Sequence, residues 1–240
     1  MERLIVFDMD GTLYGQNAVL PLVYETQIAF LRLKKNVSRD EAVSFFNDNC
    51  VFPFVSEKSR SATRLFQESG FDLQEWNEFR EARFPFDAIA PNAAVSMTMM
   101  EGFRQLGTCV LVTSNSPNNV NRILDKIGIR PTVFNRIVSN DSTSGKRPFE
   151  KMDAFRRLLD DYSTQPHQAF SIGDRFPTDI EPMLSLGGNG VLVSTPESLQ
   201  RVLVDLSAGT LVTCEAYRYF PPAEATDGSC DKRRTPCPIR

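Results

Sequence analysis

The stretch Leu4-Ile5-Val6-Phe7 is apolar and stops on Asp8-Met9-Asp10-Gly11-Thr12, two aspartates one residue apart. At that spacing both carboxylates share a side of the chain while it is still extended. Gly11 permits a tight turn after them. Such a pair can divide the labour of a group transfer. One carboxylate serves as nucleophile, and the other hands a proton to the leaving group. A second pair, Asp174 and Asp179, follows another apolar run that ends in Gly173. Ser114 and Asn115 follow a third, with Thr113 as a competing hydroxyl. Lys146 stands in Gly145-Lys146-Arg147-Pro148 ahead of a helical pattern, and Lys151 lies a little further on.

The elements that must position these residues are readable from periodicity. Short apolar runs at 4–7, 108–113, 169–172 and 190–193, with a weaker one at 134–138, have the character of strands buried on both faces. Helical patterns lie between them: 92–106 closed by Gly107, 118–127 closed by Gly128, 149–160 after Pro148, and 177–186 closed by Gly187. Strand alternating with helix implies an α/β, Rossmann-like parallel sheet with helices on both faces. Ligands of such sheets bind at the carboxyl ends of the strands, where the acids, hydroxyls and lysine stand.

Residues 15–91 break the rhythm. They read as amphipathic helices at 20–34, 39–47, 57–68 and 73–82, and Ser38 with Glu41 and Asp72 with Glu75 have capping-box spacing. The expected organisation is a core of residues 1–14 and 92–210, a helical insert at 15–91 and a C-terminal extension at 211–240. The insert's aromatics Phe45, Phe46, Phe52, Phe54, Phe66, Trp76 and Phe79 are expected in its core. Arg60, Arg64, Arg80 and Arg83 are equally able to meet an anion or to face solvent.

Electrostatics limits what several clustered acids can do. Two unit charges ~4 Å apart repel by ~4 kcal/mol at an effective dielectric of 20. Such a cluster takes up protons or a cation, and an all-oxygen site with room for phosphate and water suits Mg²⁺. A lysine beside it fits an anionic substrate.

Composition removes other chemistries. The 240 residues hold one histidine, His167, so triad and histidine-metal schemes would hang on a single side chain. The cysteines Cys50, Cys109, Cys214, Cys230 and Cys237 have no paired spacing, which suggests neither zinc nor a disulfide scaffold. A net charge of −3 does not favour nucleic acid. No apolar run is long enough to span a bilayer and no signal-peptide layout is visible, so a cytoplasmic setting is expected.

Taken in order, these motifs resemble the haloacid dehalogenase-like superfamily, in its phosphatase branch. Asp8-Met9-Asp10-Gly11-Thr12-Leu13-Tyr14 matches its DxDGT signature, and the strand ending at Ser114, the lysine before a helix and Gly173-Asp174 with Asp179 match its remaining motifs. The resemblance spans residues 1–195, with 15–91 at the place of a helical C1-type cap. It implies that Asp8 attacks phosphorus to form an aspartyl-phosphate, and that Asp10 protonates the leaving oxygen and then activates water. It implies Mg²⁺ on Asp8, the Asp10 backbone carbonyl, Asp174 and Asp179. Ser114, Asn115 and Lys146 would hold the phosphoryl group of a small phosphate ester. Lys146-Arg147-Pro148 departs from the family's Lys-Pro, which leaves Lys151 as the alternate lysine. Arg175, inside the acid pair, could touch substrate or bond to loop carbonyls. Competing readings are a phosphomutase of the β-phosphoglucomutase type, a 2-haloacid dehalogenase, against which Asp10 and Asp174 argue, and a catalytically silent module on the same fold.

Overall fold

The computed structural model describes residues 3–49, 51, 61–140 and 149–210. Its centre is one parallel sheet built from β1 (Arg3–Phe7), β2 (Gly107–Val112), β3 (Arg136–Val138), β4 (Ala169–Gly173) and β5 (Asn189–Leu192), in the order β3-β2-β1-β4-β5. The side-chain period of two sends β1 to both faces. Ile5 and Phe7 pack with α5 (Met97–Leu106), α6 (Pro117–Lys126) and α9 (Ser198–Ala208) through Met100, Phe103, Ile123 and Val202. Leu4 and Val6 pack on the other face with α7 (Lys151–Asp161) and α8 (Glu181–Ser185) through Phe155, Leu158 and Met183. The fold is therefore the α/β Rossmann-like sheet that the alternation implies.

The chain leaves β1 in one direction for β2 and β3 and returns on the opposite side for β4 and β5. β1 is thus the central strand at which the order reverses, the usual place for a ligand crevice. Register carries this to the site: Phe7 pairs with both Leu111 and Ile172, so the residues after β1, β2 and β4 emerge side by side.

Between β1 and α5 lie α1 (Leu20–Lys35), α2 (Arg39–Asp48), α3 (Ala62–Glu68) and α4 (Leu73–Ala82), with a core of their own. Phe30 is fully buried, with ring centroids 5.1 Å from both Phe66 and Trp76 and 5.2 Å from Phe79. Phe46 joins this core and Phe45 packs against it, while Phe52 and Phe54 lie outside the described residues. Ser38 and Glu41 form the reciprocal capping box. Asp72 caps α4 by accepting from the backbone of Gln74 and Glu75, but the Glu75 carboxylate pairs with Lys34 on α1 instead of reaching back.

Several helix boundaries differ from the sequence expectation: among the described residues the helix expected at 57–68 begins at Ala62, with Ser61 extended before it. The helix expected from Asn92 begins at Met97, because Ser96 accepts from the Met99 amide and caps it, while the Asn92 side chain accepts from Ala94 and donates to Glu197. The one expected from Phe149 begins at Lys151. The helix expected at 177–186 opens as a wide turn of π type over Phe176–Ile180 and becomes α-helical only at Glu181. Among the described residues no helix is long and apolar enough to cross a membrane.

Candidate active site

Asp8 stands one residue past β1 with its backbone amide on the Ile172 carbonyl at 2.8 Å, which fixes it beside the end of β4. Asp174 follows β4 directly. The wide turn after it brings the chain back, so Asp179 sits over Gly173: a Cβ on that glycine would lie 2.4 Å from the Asp179 Cβ. Single-turn π geometry is frequent at functional sites because it re-aims a side chain. Asp179 is held there by the Arg175 amide at 2.9 Å, by the Thr178 hydroxyl at 2.9 Å, and through its own carbonyl by Ser171 Oγ at 2.6 Å. One carboxylate oxygen each from Asp8, Asp174 and Asp179 fall within 4.8 Å of one another.

Lys151, at the first position of α7, donates to Asp8 Oδ1 at 2.5 Å and to Asp179 Oδ1 at 2.8 Å. Lys146 lies outside the described residues. Among the described residues, Lys151 is the lysine that bonds to the acids.

Three acids clustered around one ammonium, with Arg175 acting on Asp174 as well, leave excess negative charge in a buried place. Burial, opposed by Lys151 and reinforced by Asp179 and Asp10, pushes the Asp8 carboxyl up to about 7. Burial, with Asp179 and Asp8, pushes Asp174 well above the usual carboxylate range. Burial alone would pull the Lys151 ammonium down, but Asp179 and Asp8 together more than reverse it. The Asp174 Oδ1 atom is buried and has no hydrogen-bond partner among the described residues. A buried carboxylate oxygen without a donor is costly, and a divalent cation among hard oxygen ligands removes that cost. The donor set of Asp8, Asp174 and Asp179 fits such an ion.

Asp10 plays a separate part. Its carboxylate is not in the triad, and instead accepts from Asn115 Nδ2 at 2.6 Å on one oxygen and from the Tyr14 hydroxyl on the other. Asn115, expected at the phosphate, thus grips Asp10. Thr113 is fully buried, and its hydroxyl accepts from the Asn115 backbone at 3.2 Å and side chain at 3.3 Å. That leaves Ser114 as the hydroxyl residue of this strand end that lines the cavity. Tyr14 and Thr12 were not assigned roles from sequence. Thr12 Oγ1 donates to Asp8 Oδ2 at 3.3 Å. The available signal was that each stands four residues after the aspartate it serves.

Gly11 has φ +79°, and a Cβ there would lie 2.2 Å from Asp174 Oδ2. Gly11→Ala therefore combines left-handed strain of about 1–2 kcal/mol with displacement of a cluster carboxylate. The expected outcome is a folded protein whose melting temperature no longer responds to divalent cation, read by differential scanning fluorimetry. An unaltered response would show that Asp174 is not a ligand.

The acids open into a cavity of about 440 Å³ whose walls include Asp10, Lys151 and Asp174 from the sheet edge and Gln27, Trp76 and Arg80 from the helical insert. A parallel sheet with acids gathered at the end of its central strand, closed over by an inserted helical layer, is the architecture of a haloacid dehalogenase-like hydrolase. The sequence profile described as haloacid dehalogenase-like hydrolase matches residues 5–187, and the chain belongs to that family. Among solved structures, a HAD phosphatase from Thermococcus onnurineus superposes with a TM-score of 0.55 at 20% identity, covering 84% of this chain and 97% of that one. A haloacid dehalogenase-like family hydrolase from Xanthomonas campestris gives 0.53 at 17% identity, with 87% and 93% covered. A HAD-hydrolase of Bacillus subtilis, YfnB, bound to magnesium, gives 0.51 at 17% identity, with 85% and 99% covered. No curated protein matches the chain in sequence.

Proposed function

We propose that this hydrolase is a Mg²⁺-dependent phosphatase that cleaves a small phosphate monoester through an aspartyl-phosphate on Asp8. The observation that carries the reading is the placement of Asp8: it shares a cation-sized cluster with Asp174 and Asp179 while Lys151 bonds to it. The magnesium bound by YfnB and the phosphatase from Thermococcus onnurineus support it as relatives in fold.

Bound among the three acids, Mg²⁺ would neutralise charge on the phosphoryl oxygens. The chain supplies the rest. An Asp8 carboxylate oxygen forms a bond to phosphorus as the ester P–O bond breaks, and protonated Asp10 gives its proton to the departing oxygen. Asp10, now a carboxylate, takes a proton from water as that water attacks phosphorus and frees Asp8. Tyr14 and Asn115 hold Asp10 in one orientation through both steps. Lys151 and Ser114 bind the phosphoryl oxygens, whose charge must be met as the transfer proceeds. Halide displacement at Asp8 would need neither an acid at position 10 nor the third carboxylate. The hydrogen-bonded seat of Asp10 favours the phosphatase reading.

The direct test is phosphate release over a panel of metabolite phosphate monoesters, with Mg²⁺ and with EDTA. Activity that requires the metal supports the proposal, and undiminished activity in EDTA overturns it.

The same cluster makes stability depend on pH. Asp8 moves from an ordinary 3.8 to about 7 in the fold, so the folded chain keeps a proton that the unfolded chain gives up. The linked stability is whole at the acid end and is lost as pH rises from 3.8 to about 7. A cation takes the proton's place, so its stabilising effect grows over the same interval. Saturating Mg²⁺ should raise the melting temperature by about 5–10 °C at about pH 7.5 and by less than half that at about pH 5.5. A larger rise at the acid end would contradict the cluster as the binding site.

A further inference from the structure

The cavity above the acids falls in the size range of pockets that hold a whole small ligand, ~300–1,000 Å³, and its outer wall has demands that a bare phosphoryl group does not meet. Gln27 Oε1, on α1, is buried without a hydrogen-bond partner among the described residues. Among the arginines weighed from sequence, Arg64 lines the cavity but is paired with Glu68 at 3.2 Å and is 63% exposed. Arg83 stacks on the Phe79 ring at 3.8 Å. Arg80, on α4, is different. It lines the cavity half-buried over the edge of Trp76 and donates from Nη2 to the Ser114 carbonyl at 3.2 Å. Among the described residues no carboxylate pairs with it. A guanidinium carries five N–H donors, so most of its hydrogen-bonding capacity remains for the cavity, and its charge is felt by Asp10 and Glu81 without a bond to either. Ser114 adjoins Asn115, which grips Asp10, so the guanidinium stands close to the residue that protonates the leaving group.

We propose that Arg80 is an anion subsite for the leaving group, and that the substrate is a phosphate monoester whose leaving group carries a carboxylate or a second phosphate within a few bonds of the ester oxygen. This rests on the phosphatase reading above. The negative end of the leaving group meets Arg80 while the phosphoryl group meets Lys151 and Ser114, so the two cations grip a short substrate at both ends. Arginine suits the outer position because its planar fork matches the geometry of carboxylate and phosphate alike.

Matched esters test this on the full chain. In Asp8→Asn protein with Mg²⁺, titration calorimetry compares ethyl phosphate, phosphoglycolate and ethane-1,2-diol bisphosphate. The two anion-bearing esters should bind ~10–100-fold more tightly than ethyl phosphate. Arg80→Gln in the same background should shrink that ratio to about twofold, and Arg80→Lys, which keeps a point charge, should preserve part of it. A preference for the bisphosphate identifies phosphate as the second anion, and a preference for phosphoglycolate identifies carboxylate. The proposal is overturned if the three esters bind alike before Arg80 is changed. It is also overturned if Arg80→Gln weakens all three equally, because Arg80 then only ties α4 to Ser114. The calorimetric preference does not depend on turnover. Failure of the unsubstituted enzyme to release phosphate from any ester would count against the phosphatase reading alone.

Discussion

Asp8→Asn should fold, keep its cavity and lose turnover by on the order of 10⁴–10⁶-fold, the scale seen when a covalent nucleophile is removed. The change is nearly isosteric, and Asn retains an oxygen that can accept from Thr12, so the loss is chemical. An amide oxygen does not displace an alkoxide from phosphorus, whereas a carboxylate held in line with it does. Stability should move the other way when metal is chelated. Burial and the charges of Asp179 and Asp10 already hold the Asp8 carboxyl near 7, so its ionised form strains the fold at neutral pH. A neutral amide relieves that repulsion, and the Asp8→Asn melting temperature in EDTA at about pH 7.5 should equal or exceed that of the unsubstituted chain. Phosphate release measured beside thermal melts reads both effects. Activity surviving the substitution would place the nucleophile elsewhere and end the aspartyl-phosphate route. A protein that is inactive because it is unfolded would show itself in the melt.

What the sequence revealed follows the range of the forces involved. β1 was legible because an apolar run buried on both faces has few other uses, and the acids after it were legible because nothing in a strand end calls for two of them. The sequence placed Asp8 and Asp174 at strand ends on one sheet edge; that β1 and β4 are neighbours is a finding of the structure, in the register of Phe7 against Ile172. Choices of one to five residues were not legible. Thr113 and Ser114 are both hydroxyls at one strand end, and only the burial of Thr113 under the Asn115 loop separates them. Asn92 and Ser96 are both competent helix caps, and a tertiary hydrogen bond to Glu197 on the far side of the chain engages the first. Tyr14 was read as the tail of a motif because its aim at Asp10 depends on the turn at Gly11, which spacing alone does not describe. Lys146 and Lys151 differ by little more than one helical turn, and Pro148 between them marks a helix start without saying which lysine faces the sheet.

That last ambiguity yields the second large effect. Lys151→Ala should lower kcat/KM by about 10²–10³-fold, the usual result of removing a donor aimed at charge that develops in the transition state. Lys146→Ala should fall well short of that. The argument is geometric: Lys151 starts α7 with its ammonium on Asp8 and Asp179 at once, and its side chain is only 10% exposed. Removing it leaves two buried carboxylates without the cation that bonds to both, and breaking a buried pair in this way costs about 3–5 kcal/mol. The cost should be visible as a lowered melting temperature in EDTA and partly recovered by Mg²⁺, since the metal restores positive charge among the same oxygens. The recovery separates the two duties of the lysine. Metal can compensate for its charge in the resting fold, but it does not replace an N–H donor on the phosphoryl oxygens, so activity should stay low in metal-saturated, fully folded protein. The reverse pattern, with Lys146→Ala inactive and Lys151→Ala close to normal in Mg²⁺, would return the phosphate-binding role to Lys146 and leave Lys151 as a structural counter-charge for the acids.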